Sequence, residues 1–186
     1  MTARAVTTLG YALLGLIRES PRSGYRLRRV FETTPLGSYS SSPGSIYPAL
    51  RSLEKAGLVR RETDQAGGGP VFRLSADGEA RLREWLERPV DAAEIADHRD
   101  TALLRFAFLQ YHPDRRLSLA FLDSFAAATS AQAQDLVAFL EGPAGRELSL
   151  QSRLAVEHGL EAVRSAARWA EQARRRLGNK LEEEEA

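Results

Sequence analysis

The sequence predicts a mainly α-helical protein of two units, the first closed by a small antiparallel hairpin. Three observations carry that prediction. Before residue 58, apolar residues recur at helical spacing in three separate segments. Two short runs, Leu58–Glu62 and Val71–Leu74, then read as strands on either side of the polar, glycine-rich stretch Thr63–Pro70. Beyond Ser75 every apolar pattern is helical. The halves also differ in charge, with 14 Lys and Arg against 9 Asp and Glu through Arg88 and 12 against 16 thereafter. The basic first half is the one suited to a polyanion.

The elements follow in order. Val6, Leu9, Leu13, Leu16 and Ile17 lie on one stripe of a first helix, and Ser20-Pro21-Arg22-Ser23-Gly24 interrupts it. A second helix from Gly24 to about Thr33 turns Leu27, Val30 and Phe31 inward and Arg26, Arg28 and Arg29 mostly outward. The third is written most completely. Ser42 serves as N-cap and Pro43 as the first helical residue, and Gly57 supplies the left-handed residue past the end. Ile46, Ala49, Leu50, Leu53 and Ala56 fall on one side; Gly44, Tyr47, Pro48, Arg51 and Lys55 fall on the other. A small residue, a phenol and two cations make a side that suits a DNA groove. Three helices followed by strand, loop and strand is the order of a winged helix-turn-helix, whose third helix normally enters the major groove.

Five ordered motifs sharpen this: Leu13-Leu14-Gly15-Leu16-Ile17, Ser23-Gly24-Tyr25-Arg26-Leu27, Ser42 to Leu50, Leu53-Glu54-Lys55-Ala56-Gly57-Leu58, and Phe72-Arg73-Leu74-Ser75. In order and spacing they resemble the PadR family of bacterial transcriptional regulators. The resemblance is close over the first 90 residues and looser, to long-form members, beyond them. It implies a homodimer that binds double-stranded operator DNA, most often represses, and in many members is released by a small effector. It also implies a phosphate contact for Tyr47 and acceptance of a proline at Pro48. One departure stands out. Many relatives carry arginine or lysine at the wing tip, whereas Ala66–Val71 contains neither, so backbone contact is expected from Arg60, Arg61 and Arg73 on the strands.

Each candidate has a plainer alternative. Tyr47 either bonds a phosphate or packs on a surface. Arg51 and Lys55 are either DNA contacts or solvated charges; Arg51 is the expected base reader, since its guanidinium matches guanine bidentately. Gly44 and Ser45 offer a small profile and backbone N–H groups to a phosphate. Pro48 is odd inside a helix, because it removes the bond to the Gly44 carbonyl. Tyr25 and Leu27 are expected to pack or brace.

The second half reads as helices: Ala76 to about Glu87 capped by Ser75, an apolar segment Arg99–Gln110 after the charged connector Asp91–Arg99, His112 to about Glu141, and, after Gly142-Pro143, about Arg146 to Leu177. In the last, Val156, Leu160, Val163, Ala167, Ala170, Ala173 and Leu177 form a bundle or coiled-coil seam, taken as the homodimer interface. The expected domains are 1–90 (DNA-binding), 91–178 (helical dimerisation) and 179–186, a disordered acidic tail. Phe106, Phe108, Tyr111, Phe121, Phe125, Phe139 and Trp169 are mainly core. The alternative is an effector pocket between bundle and DNA-binding domain, with Trp169 or Phe106 stacking on a small aromatic ligand and Arg105 or Arg168 holding an anion.

Other classes are excluded. With no cysteine there is no disulfide or thiolate metal site, which fits a reducing cytosol and a cytoplasmic protein. The apolar run Leu9–Ile17 is far shorter than the roughly 20 residues a membrane span needs. The three histidines show no metal-ligand spacing, no nucleophile motif accompanies any serine, and Gly67-Gly68-Gly69 lacks the lysine and helix of a phosphate loop. No catalytic residue, metal or cofactor is expected. The reading from another class is a dimeric protein-interaction scaffold that keeps the winged helix without operator binding.

Overall fold

Thr7 opens helix α1 (Thr8–Glu19) with its hydroxyl, which accepts the Gly10 N–H at 3.1 Å. The computed structural model describes residues 6–39, 43–63 and 70–185; the expected cap Ser42 and the wing-tip glycines Gly67–Gly69 lie outside them. In α1 the buried surface is wider than the expected stripe: Ala12 and Leu14 are buried along with Leu13, Leu16 and Ile17, while Val6 and Leu9 are half-buried. A helix covered on nearly all sides is the centre of its unit. Tyr11 stacks on Trp85 of helix α4 (Ala76–Glu87) with ring centroids 4.5 Å apart and planes within 5°.

Strand β1 (Arg22–Ser23) leads directly into helix α2 (Gly24–Thr33), which Ser23 caps by accepting the Arg26 N–H. Leu27 and Phe31 are buried and Val30 half-buried, as its periodicity requires. Helix α3 (Ile46–Lys55) follows a 3-10 turn over Pro43–Ser45, so it starts later than Ser42-Pro43 suggests. Strands β2 (Val59–Thr63) and β3 (Pro70–Leu74) pair antiparallel, with Arg60 opposite Arg73 and Arg61 opposite Phe72. The sheet has three strands in the order β1-β3-β2 rather than two. Two residues of β1 are too few to leave a period-2 signal in the sequence.

The end of α3 is the junction of the unit. Gly57 has φ +74, the left-handed conformation that glycine adopts without strain. Its N–H bonds the Glu54 carbonyl and that of Leu58 bonds the Leu53 carbonyl, closing the helix with a Schellman motif. Ser75 then clips the end of β3 onto this turn: its N–H reaches the Leu58 carbonyl at 3.0 Å and its hydroxyl the Gly57 carbonyl at 2.5 Å. The same hydroxyl accepts the Gly78 N–H and so caps α4. Ala56, expected inside, is exposed, because α3 has already turned away at its C-cap.

The chain divides into two units, Met1–Glu87 and Arg88–Ala186. In the second, Asp91 caps helix α5 (Ala92–Phe108), which is kinked at His98 (φ -143, ψ 38). The charged connector is therefore helical. Helices α6 (Arg116–Glu141), α7 (Pro143–Arg146) and α8 (Leu150–Glu185) follow. Helix α8 runs along α6. Two expectations change here. Leu160, Val163, Ala167 and Ala170 are buried within this single chain and Val156 half-buried, so the seam serves α6–α8 packing rather than a partner. A heptad-like period specifies an apolar face, not whose helix covers it. The acidic tail is helical through Glu185 rather than disordered, held by Lys180 to Glu184 one turn on and by Arg115 to the same carboxylate. Among the described residues no helix is long and apolar enough to cross a membrane.

Gly78 provides a test of the junction. A Cβ added there would lie 2.0 Å from the Leu58 carbonyl oxygen, a backbone atom that cannot step aside. Gly78→Ala is expected to cost about 1–3 kcal/mol by overpacking, read as a lower midpoint in urea unfolding. Gly159→Ala, where a Cβ meets open space, should not destabilise the fold.

Candidate nucleic-acid interface

The inward side of α3 consists of Ile46, Leu50 and Leu53, all buried, with Ala49 half-buried. That burial fixes the rotation of the helix, so Gly44, Tyr47, Pro48, Arg51 and Lys55 are turned to solvent together, and Ser45 is half-buried beside them. The proline has a simple place. Ile46 is the first residue of α3, so Pro48 is the third, within the first turn, where a missing N–H forfeits no intrahelical bond. The Gly44 carbonyl belongs to the preceding 3-10 turn.

Of the two alternatives the sequence offered for Tyr47, the structure shows packing on a surface. Its ring lies against the backbone of Gly24 at the start of α2, where an added Cβ would come within 2.8 Å of Cε1, yet the residue remains 40% exposed. Gly24 thus acts as the floor for the ring and leaves the phenol end outward. Leu27 braces α2 from within, as expected, whereas Tyr25 is 62% exposed and does not pack.

The basic residues fall into two groups. On α2 and α3, Arg26, Arg29, Arg51 and Lys55 are exposed and make no ion pair among the described residues. Arg28 pairs with Glu32 at 2.7 Å, and that hydrogen bond and charge hold its guanidinium above its ordinary pKa. The three strand arginines are all engaged. Arg60 and Arg73 both reach Glu62, at 2.9 and 2.5 Å, and Arg61 reaches Glu54 of α3 at 3.0 Å while lying over the Phe72 ring. Sequence reading singled out the arginines and passed over the two carboxylates. The signal for Glu62 was available, since residues 60 and 62 of one strand share a face.

In the C-terminal unit the proposed anion holder is otherwise employed. Arg105 has no exposed surface; it bonds the Glu94 carboxylate at 2.8 Å and the Arg88 carbonyl at 2.6 Å, and lies over the Phe121 ring. Desolvation lowers its pKa from the ordinary value, opposed by the Glu94 charge. It is an internal ion pair that spans the kink of α5, from Glu94 before His98 to Arg105 after it. Arg168 is exposed. Phe106 and Trp169 meet edge to face at 5.9 Å in a cluster with Phe121 and Phe125, and Trp169 stays 39% exposed. Among the described residues no cluster of His, Cys, Asp or Glu is arranged to hold a metal.

Comparison with known proteins bears on the first unit. Residues 13–84, from the middle of α1 to the last turns of α4, match the transcriptional regulator PadR-like family. That match lies within the N-terminal unit. The transcriptional regulator YqjI of Escherichia coli is 28% identical over 111 residues, 60% of this chain and 51% of that protein. The negative transcriptional regulator PadR of Bacillus subtilis is 28% identical over 118 residues, 62% of this chain and 64% of that protein. The matches thus span about half to two thirds of these relatives, which are regulators rather than enzymes. Among solved structures, Bacillus subtilis PadR in complex with operator DNA aligns at 24% identity over 91% of this chain and 98% of that one, with a TM-score of 0.39. The PadR-like regulator from Bacillus cereus aligns at 20% over 92% and 99%, with a TM-score of 0.41.

The Glu94–Arg105 pair predicts an asymmetric mutational response. Glu94→Ala leaves a buried guanidinium uncompensated and should cost about 3–5 kcal/mol. Replacing both residues together, Glu94→Gln with Arg105→Met, should cost markedly less. Urea denaturation of the single and double variants measures the difference.

Proposed function

We propose that this chain is a sequence-specific DNA-binding transcriptional regulator of the cytoplasm, acting as a homodimeric repressor. The observation that carries the reading is the outward side of α3, where Tyr47, Arg51 and Lys55 are presented together and neither cation pairs with a carboxylate among the described residues. The match of residues 13–84 to a family of transcriptional regulators supports it, and the name of the Bacillus subtilis relative supports repression. In this reading Tyr47 bonds a phosphate, Arg51 reads a base edge and Lys55 takes a second phosphate. Gly44 and Ser45 let the backbone approach, and Pro48 keeps the first turn slim.

For the homodimer we propose a contact on another side of α8. At about 100° per residue, Leu150 and Leu154 lie on the side of α8 away from Leu160, Val163, Ala167 and Ala170, and they are 67% and 53% exposed. We take that side, rather than the internal seam, as the one a second copy covers. Release by a small planar effector is the further part of the proposal, with Trp169 and Phe106 as its stacking surface and Arg105 excluded from it.

The deciding experiment is a mobility shift on the chain's own promoter region at two salt concentrations. A two-fold site with half-sites about 10 bp apart or a multiple of that is expected, with affinity falling steeply as salt rises. Tyr47→Ala, Arg51→Ala and Lys55→Ala should each weaken binding with fold intact. Arg51→Ala should in addition relax preference at one base pair, at about 1–3 kcal/mol. If all three bind as the parent does, the interaction-scaffold reading replaces this one. For the dimer, Leu154→Glu should give a folded monomer by light scattering, whereas Leu160→Glu should unfold the C-terminal unit.

A further inference from the structure

We infer that Glu62 is a built-in competitor for DNA phosphate, holding Arg60 and Arg73 on the wing and setting how strongly the strands grip the duplex backbone; this rests on the DNA-binding reading above. Arg60 and Arg73 are directly opposed across the β2–β3 ladder, a placement that repels by itself. Glu62, two residues along β2 from Arg60, is on the same face, and its two oxygens take one guanidinium each, Arg60 through Oε1 and Arg73 through Oε2. The wing face therefore presents one net positive charge where its arginines alone would present two.

All three side chains are substantially exposed, at 66%, 49% and 36% for Arg60, Arg73 and Glu62. Exposed pairs of this kind are weak and screened by salt, so a phosphate oxygen is a real rival for either guanidinium. A carboxylate beside the duplex also repels the phosphates. Arg60 and Arg73 therefore contribute to DNA binding only as far as Glu62 releases them. By contrast, Arg51 and Lys55 on α3 have no such competitor among the described residues, which concentrates the grip on the helix that reads sequence. The carboxylate thereby shifts the balance from backbone affinity toward base-dependent affinity.

The test is fluorescence anisotropy with the full chain, on the promoter fragment and on an unrelated duplex, over a salt series. Glu62→Gln should tighten binding to both duplexes by about 3–10-fold and steepen the log–log salt slope by about one to two, one for each phosphate newly neutralised. Adding Arg60→Gln and Arg73→Gln to that variant should abolish the gain. Unchanged or weaker binding with the parent's slope overturns the proposal, as does a gain that survives loss of both arginines. Should Glu62→Gln fail to fold, judged by its thermal melt, the parent background decides. There Arg60→Gln with Arg73→Gln should cost less than about threefold, well below the loss expected for two free phosphate contacts, and a larger loss overturns the proposal. A parent that binds neither duplex in a salt-dependent way removes the DNA reading itself, and this inference with it.

Discussion

The N-terminal unit depends on the crossing of the chain at Gly57-Leu58. Within two residues the backbone closes α3, starts β2, receives the clip from Ser75 at the end of β3 and lies against Gly78 at the start of α4. Four elements are thus referred to one short stretch of main chain. The outward side of α3 inherits its orientation from this point, because the helix is fixed at its C-terminus by backbone bonds and along its length by Ile46, Leu50 and Leu53. What fixes α3 relative to the strands beside it is thus main chain rather than long side chains.

Much of this unit was legible in the residues. The stop signal Gly57, the inward set on α3, the cap at Ser75 and the two strands of the hairpin all have local causes, and local causes leave local patterns. What was not legible was pairing. Spacing puts Glu62 on the face of Arg60, but nothing in it says that Arg61 and Arg73 have a carboxylate at hand, because Glu54 lies on another element and Arg73 across a ladder. The place of Pro48 also depended on where α3 begins, and that boundary is set by a 3-10 turn that no periodicity announces.

The C-terminal unit shows the same limit in a stronger form. The seam through Leu160, Val163, Ala167 and Ala170 was correctly read as a close helix contact, and its small residues do allow close approach. The partner, however, is α6 of the same chain. Likewise Arg105 was offered as the anion holder of an effector pocket, but its partner is Glu94, eleven residues earlier and on the other side of a kink. Burying such a pair asks for good geometry and further hydrogen bonds, and the Arg88 carbonyl and the Phe121 face supply part of that surrounding.

The placement of the two tryptophans makes the molecule its own optical instrument. The chain has two, and each unit holds one. Trp85 is buried in the first, lying flat on Tyr11, whereas Trp169 is partly open to water at the edge of an aromatic cluster in the second. A shielded indole emits toward the blue and a hydrated one toward the red. Emission collected at the two ends of the band therefore distinguishes the halves without any label, and a single substitution of either indole by phenylalanine assigns the signal.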